Sequence, residues 1–307
     1  MRRLNFAAFA GAVCGLALSV AGAAAETFSA SLDSSGSERH YSVFMPDDMP
    51  RERRLPAVIA LHGPLMTGRS MRTLFGMERL AQREGFAVVY PDSRGPRWND
   101  GRDPRDAGPD DVRFINLLAR HLVSRGLADP RRLYLVGMSS GGMLTYRIAC
   151  ETPETFAAYA AVVADMPKPV AEACRKNMGV PMLIINSKRA AIPQDGDQAE
   201  WEPENVLPGA WTIDFWRRNN GCEGAPQVKP MPDKDANDGS TVTAGQYLNC
   251  RTRAPLVSFT VENGGHLPPG AQVGNRPLLL SVLGRPNKDI SAADISWKFF
   301  RRFPTAP

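Results

Sequence analysis

Short, unbroken apolar runs recur along this chain, separated by longer stretches in which apolar residues return every three or four positions. The runs 41–45 (YSVFM), 56–61 (PAVIAL), 86–90 (FAVVY), 132–136 (RLYLV), 157–164 (AAYAAVVA), 181–185 (PMLII) and 256–262 (LVSFTVE) predict strands. Those in the middle of the chain lack polar alternation, as parallel strands covered on both faces do. Helical spacing predicts helices over 70–84, 110–125, 140–150, 209–219 and 291–302. The second is the best defined: Pro109-Asp110-Asp111 starts it, Val112, Ile115, Leu118 and Leu122 line one side, and Gly126 ends it. Strands alternating with helices imply an α/β fold, a mostly parallel central sheet with helices on both faces. Segments 91–108 and 222–248, rich in polar residues, Gly and Pro, read as long surface loops of the kind that border sites on α/β scaffolds.

The first 25 residues follow a different pattern. Arg2 and Arg3 precede an almost wholly apolar stretch over 6–22, and Ala23-Ala24-Ala25 offers a cleavage site, so residues 1–25 predict a secretory signal peptide and 26–307 a single domain. The location expected is secreted or periplasmic. No other apolar run approaches the ~18 residues that span a bilayer. Formal charge is +5, and +3 without the leader's two arginines, with no block of like charge; nucleic acid is not an expected partner. Outside the leader four cysteines remain, Cys150, Cys174, Cys222 and Cys250, without metal-ligand spacing. An even count in an exported chain favours two disulfides, and sequence order suggests Cys150–Cys174 and Cys222–Cys250, one of three connectivities.

One motif carries chemistry. The run 132–136 leads into Gly137-Met138-Ser139-Ser140-Gly141-Gly142 and then a helix, which is G-x-S-x-G in a strand–turn–helix setting, a nucleophile elbow. A serine hydroxyl needs a base. Of His40, His62, His121 and His266, the third falls on the polar side of a helix and the first precedes the first predicted strand, away from the sheet's top. His62 and His266 both follow strands, where open α/β sheets place ligands. His266, after the serine in chain order, is assigned as general base and acid. His62, in His62-Gly63 after an early strand, is assigned as a structural residue of an oxyanion loop.

These residues also carry a resemblance. Segments 58–68 (VIALHGPLMTG), 84–102 (EGFAVVYPDSRGPRWNDGR), 110–115 (DDVRFI), 135–143 (LVGMSSGGM) and 263–270 (NGGHLPPG), together with Trp216, Asn220-Gly221-Cys222 and the closing Trp297-Lys298-Phe299-Phe300, resemble in order the secreted polyhydroxybutyrate depolymerase and feruloyl esterase group. The likeness spans essentially the whole chain after the leader. It implies an α/β-hydrolase fold and cofactor-free hydrolysis of esters of aromatic acids, acetylated sugars or polyesters. By resemblance Ser139 is the nucleophile, His266 the base and the Ser140 backbone N–H an oxyanion donor.

Two positions depart from the group's pattern. Its catalytic acid follows the strand equivalent to 181–185, in a segment like H-G-T-x-D; here Ala190 takes that position. Asp165, closing the preceding strand, is the first substitute, with Asp195 or Asp197 as alternatives. Pro64 follows His-Gly and has no N–H for the oxyanion, so Leu65 is the expected second donor after a small loop shift. Trp98 and Asn99 match the group and are candidates to line the cleft; anchoring of the loop by a buried tryptophan is the alternative. Trp201 is a weaker candidate, and Arg51-Glu52-Arg53-Arg54 reads as a solvated turn. A decayed hydrolase acting as a binding protein and a peptidase of related fold are the competing functions.

Overall fold

The computed structural model describes residues 26–47, 54–106, 108–188, 205–251, 254–274 and 276–304. The leader, Arg51 to Arg53, Ala190, Asp195, Asp197 and Trp201 lie outside the described residues. In chain order the elements are β1 (Glu26–Asp33), β2 (Glu38–Met45), β3 (Leu55–Leu61), α1 (Gly68–Phe75), α2 (Glu78–Glu84), β4 (Ala87–Pro91), α3 (Asp111–Ser124), β5 (Ala128–Met138), α4 (Ser140–Glu151), β6 (Ala158–Val162), α5 (Lys168–Ala173), β7 (Met182–Lys188), α6 (Gly209–Asn219), β8 (Gln227–Pro230), β9 (Thr241–Tyr247), β10 (Leu256–Glu262), α7 (Pro277–Leu283) and α8 (Ala292–Phe300).

All these strands join one sheet in the order β1-β2-β4-β3-β5-β6-β7-β10-β9-β8. From β4 to β10 the neighbours are parallel, and antiparallel pairs extend the sheet at both ends. The two-residue period of a strand sorts its side chains between two cores. Ala57, Ile59 and Leu61 of β3 pack with α3, α4 and Trp216 of α6, whereas Val58 and Ala60 pack with α1, α2 and α8. Every residue of β3 is buried, which explains its uninterrupted apolar sequence. Among the described residues no helix is long and apolar enough to cross a membrane.

Three expectations change. The single helix over 70–84 is two, because Gly76 adopts φ 63° and its N–H closes α1 on Arg72 O. The loop 222–248 contains β8 and β9; the exposed residues of β8 and the mixed polar and small residues of β9 hid an antiparallel sheet edge. An additional first strand, β1, pairs with β2 along its whole length, its alternating exposure reflecting a strand at the sheet margin. His40 consequently lies within β2 rather than ahead of all strands, and at the end of the sheet where β4 finishes, since β2 runs antiparallel to β4.

The disulfides are Cys150–Cys174 and Cys222–Cys250, the pairing suggested by sequence order. The first ties the end of α4 to the residue after α5. The second joins the turn after α6 to the segment after β9. Each closes a loop of 24 or 28 residues, which in the chain-entropy account stabilises the fold by about 3 kcal/mol.

Candidate active site

Because the central strands are parallel, the segments leaving them collect at one edge of the sheet. Ser139 follows β5, Asp165 follows β6, Asn186 lies near the end of β7, and His266 follows β10. His62 follows β3. Residues 204 positions apart in sequence are thus brought to a common face.

Ser139 sits on the turn between β5 and α4 with φ 52° and ψ −119°, a conformation that L-residues avoid. Its N–H donates to Val162 O at 3.0 Å, and its carbonyl accepts Met143 N–H at 2.9 Å, so sheet and helix hold both sides of the turn. The motif's glycines permit this approach. A Cβ on Gly141 would lie 2.6 Å from the carbonyl oxygens of Leu61 and His62, and one on Gly137 would collide with Gly141 O. The serine is 8% exposed.

His266 Nε2 lies 2.9 Å from Ser139 Oγ, within hydrogen-bonding reach of the only side chain it has to deprotonate. Its backbone is held from behind: His266 N–H donates to Leu283 O at 2.5 Å and Gly265 N–H to Arg285 O at 3.3 Å. Asp165 is half-buried, and its Oδ1 accepts the Asn186 side-chain N–H at 2.5 Å. Asn186 was not singled out as a functional residue from the sequence; it stands where the esterase group carries histidine, and only that substitution pointed to it.

The oxyanion loop follows β3. His62 is fully buried, its Nε2 accepts Ser93 N–H at 3.1 Å, and its Nδ1 is 2.7 Å from Gly63 O. An Nε2 that accepts leaves the proton on Nδ1, which donates to Gly63 O. Both ring nitrogens are therefore committed, consistent with a structural role. Burial holds the His62 pKa below its usual 6.5, against smaller opposing influences from the Gly63 carbonyl, Asp92 and Asp111. A histidine depressed in the fold takes up its proton first in the unfolded chain, so stability falls as pH drops below about 6.5. Denaturant midpoints at pH 7.5 and pH 5 should fall less for His62→Asn than for the parent protein; an identical decline would remove His62 as the cause.

Leu65 has φ 58°, a side chain 87% exposed, and its N–H donates to Pro96 O at 2.6 Å. That bond ties the loop to the tip of segment 91–108 and occupies the N–H expected to face the oxyanion. The Ser140 N–H lies at the start of α4, where partial positive charge accumulates.

Trp98 is completely buried, with its indole N–H donating to His62 O at 2.9 Å and its ring tilted against His62 at 4.8 Å. It anchors the loop and does not line a cleft, because packing and hydrogen bonding consume both its faces and its donor. Asn99 is similarly occupied: Arg147 reaches its Oδ1 and its carbonyl O at 2.9 Å, and its Nδ2 donates to Asp106 O at 3.4 Å. Beneath them Asp111 pairs with Arg39 at 2.6 Å, both buried, and accepts Asn99 N–H at 2.7 Å. Burial outweighs these favourable contacts and raises the Asp111 pKa. Segment 91–108 is thus fixed by a buried ion pair that no local sequence pattern signals.

Fold and elbow are those of the α/β-hydrolase class. A profile of the prolyl oligopeptidase family matches residues 75–167, which contain the elbow. The chain is 28% identical over 257 residues to NocK of Nocardia uniformis subsp. tsuyamanensis, a protein named as an esterase, covering 80% of this chain and 73% of that one. It is 23% identical over 246 residues to feruloyl esterase B of Piromyces equi, covering 77% of this chain but 44% of the fungal protein. Acetyl xylan esterase from Aspergillus awamori superposes with a TM-score of 0.58 at 16% identity, over 86% of this chain and 94% of that one, which shows the shared fold. The resemblance drawn from the ordered motifs holds: the relatives that this chain matches are named as esterases, and its fold is shared with an acetyl xylan esterase.

Proposed function

We propose that this chain is an exported, single-domain serine esterase using Ser139 as nucleophile, His266 as general base and acid, and Asp165 as the acid that orients it. The observation that carries the reading is the 2.9 Å approach of His266 Nε2 to Ser139 Oγ on a strained elbow. Oγ attacks the ester carbonyl carbon while its proton passes to His266 Nε2. The negative oxygen of the tetrahedral adduct is met by the Ser140 N–H. Leu65 adds a second donor once its bond to Pro96 O opens. Collapse of the adduct breaks the bond to the alcohol oxygen, which takes the proton from His266 and leaves an acyl-serine. Water then attacks the acyl carbon, gives a proton to His266, and Ser139 recovers it as the carboxylic acid departs. No cofactor enters this sequence. The leader-like segment 1–25 and the two disulfides support export to an oxidising compartment. Feruloyl, acetyl-polysaccharide and polyhydroxyalkanoate esters are the substrate classes.

The test is covalent. A fluorophosphonate probe should label the parent protein at Ser139 and leave Ser139→Ala unlabelled; folded parent protein that takes no label would end the reading. That result would favour the second one, a ligand-binding protein on a hydrolase scaffold, for which the engaged Leu65 N–H and proline at position 64 speak.

A further inference from the structure

A groove of about 440 Å³ runs between the β1–β2 hairpin and α1, lined by Ser29, Ser31, His40, Ser42, Arg69 and Asp92. The register pairs Ser29 with Ser42 and Ser31 with His40. Residues two apart share a face, so these four side chains form a two-by-two polar patch on one side of the hairpin. On the opposite side Tyr41 and Val43 turn into the core with α3. Phe44, next along the patch's own face after Ser42, packs into the core of α1, α2 and α8. The patch is therefore where an otherwise covered sheet face emerges beyond α1.

Its position is defined by the strands. Tyr41 pairs with Pro91 and Ser42 with Tyr90, and Asp92 N–H donates to His40 O at 2.9 Å. The groove thus opens at the carboxyl end of β4, the same sheet edge from which Ser139 leaves β5. Between β2 and β5 lie β4 and β3, so three strand spacings separate them, roughly 15 Å. A backbone route also connects the two: Ser93, next to Asp92, binds His62 of the oxyanion loop.

The lining selects a ligand chemistry. The Ser29 and Ser42 hydroxyls donate and accept, Ser31 Oγ, whose hydrogen goes to Glu38 Oε1 at 2.6 Å, only accepts, the Arg69 guanidinium only donates, and the Asp92 carboxylate, whose Oδ1 takes Gly68 N–H at 2.7 Å, only accepts. One cation beside one carboxylate disfavours a polyanion. A polyester presents carbonyl acceptors and hydrocarbon, and so brings no donor to the Asp92 oxygen that Gly68 does not engage. A sugar ring presents hydroxyls of both kinds and meets every group. The cavity volume falls within the range of small-ligand sites, about 300–1,000 Å³.

We propose that the groove between the β1–β2 hairpin and α1 is a carbohydrate subsite that anchors the polysaccharide carrying the ester, at a distance of several sugar rings from Ser139. This rests on the esterase reading and narrows it: the substrates are acyl groups on a polysaccharide, not a polyester.

The test compares the parent protein, His40→Ala/Arg69→Ala and Ser31→Trp, the last filling the groove from an exposed position. KM for acetylated xylan should rise about tenfold in both variants with kcat unchanged, the loss of one or two hydrogen-bonding groups. Hydrolysis of p-nitrophenyl acetate should stay within about twofold, since nothing there reaches the groove. In xylan-containing gels Ser139→Ala should be retarded, and Ser139→Ala/Ser31→Trp should not. An unchanged ratio of xylan to p-nitrophenyl acetate activity, or equal migration of the two gel variants, overturns the subsite, as does hydrolysis of polyhydroxybutyrate with none of acetylated xylan. Absence of p-nitrophenyl acetate hydrolysis and of fluorophosphonate labelling in the parent protein would instead overturn the esterase reading, and the gel comparison would still decide the groove.

Discussion

Ser139→Ala should reduce kcat on a p-nitrophenyl ester on the order of 10⁶-fold, and His266→Ala should do nearly as much. The two side chains act as one device: without the base the hydroxyl is a weak nucleophile, and without the hydroxyl the base has no proton to take. The double variant should therefore lose scarcely more than either single one. KM should change little, because neither group holds substrate strongly before the transition state. Steady-state kinetics with enzyme of verified fold checks this. Losses that multiply in the double variant would mean that His266 and Ser139 work independently, against the 2.9 Å contact between them.

Asp165→Asn should cost on the order of 10⁴-fold in kcat, the loss expected when a triad histidine is left in the wrong tautomer. The assignment draws on the path of the chain. His266 leaves β10 and reaches back past β7 and β6 to meet Ser139 above β5, so a carboxylate after β6 lies along that path. Asn186, near the end of β7, donates to Asp165 Oδ1 and holds the carboxyl group in place. Asp195→Asn and Asp197→Asn, measured on the same ester, should stay within a few-fold of the parent protein. A large loss in either, with Asp165→Asn unaffected, would move the acid to the segment after β7.

The central sheet and the elbow were legible because their determinants are local. Unbroken apolar runs such as PAVIAL mark strands buried on both faces, and Gly137, Gly141 and Gly142 flank Ser139 at a fixed spacing. The sheet's margins were not legible. β1 and β9 alternate small polar residues with modest apolar ones, and only their pairing with β2 and β10 makes them strands. The loop holding Trp98 was harder still, since its anchors, Arg39 and Asp111, lie 72 positions apart. Whether an aromatic lines a cleft or is sealed beneath it depends on such remote partners. The groove of His40, Arg69 and Asp92 was not legible for the same reason, since the pairing of β2 with β1 and β4 brings its residues together.

The elbow has a consequence for how this sequence can change. At φ 52° and ψ −119° a side chain of any kind is held at a cost of order 1–3 kcal/mol, and glycine alone would relieve it. The most stable residue at position 139 is thus one that carries no hydroxyl. Mutation toward greater thermal robustness pulls against reactivity at this single codon, and the serine persists only where the reaction it performs is needed.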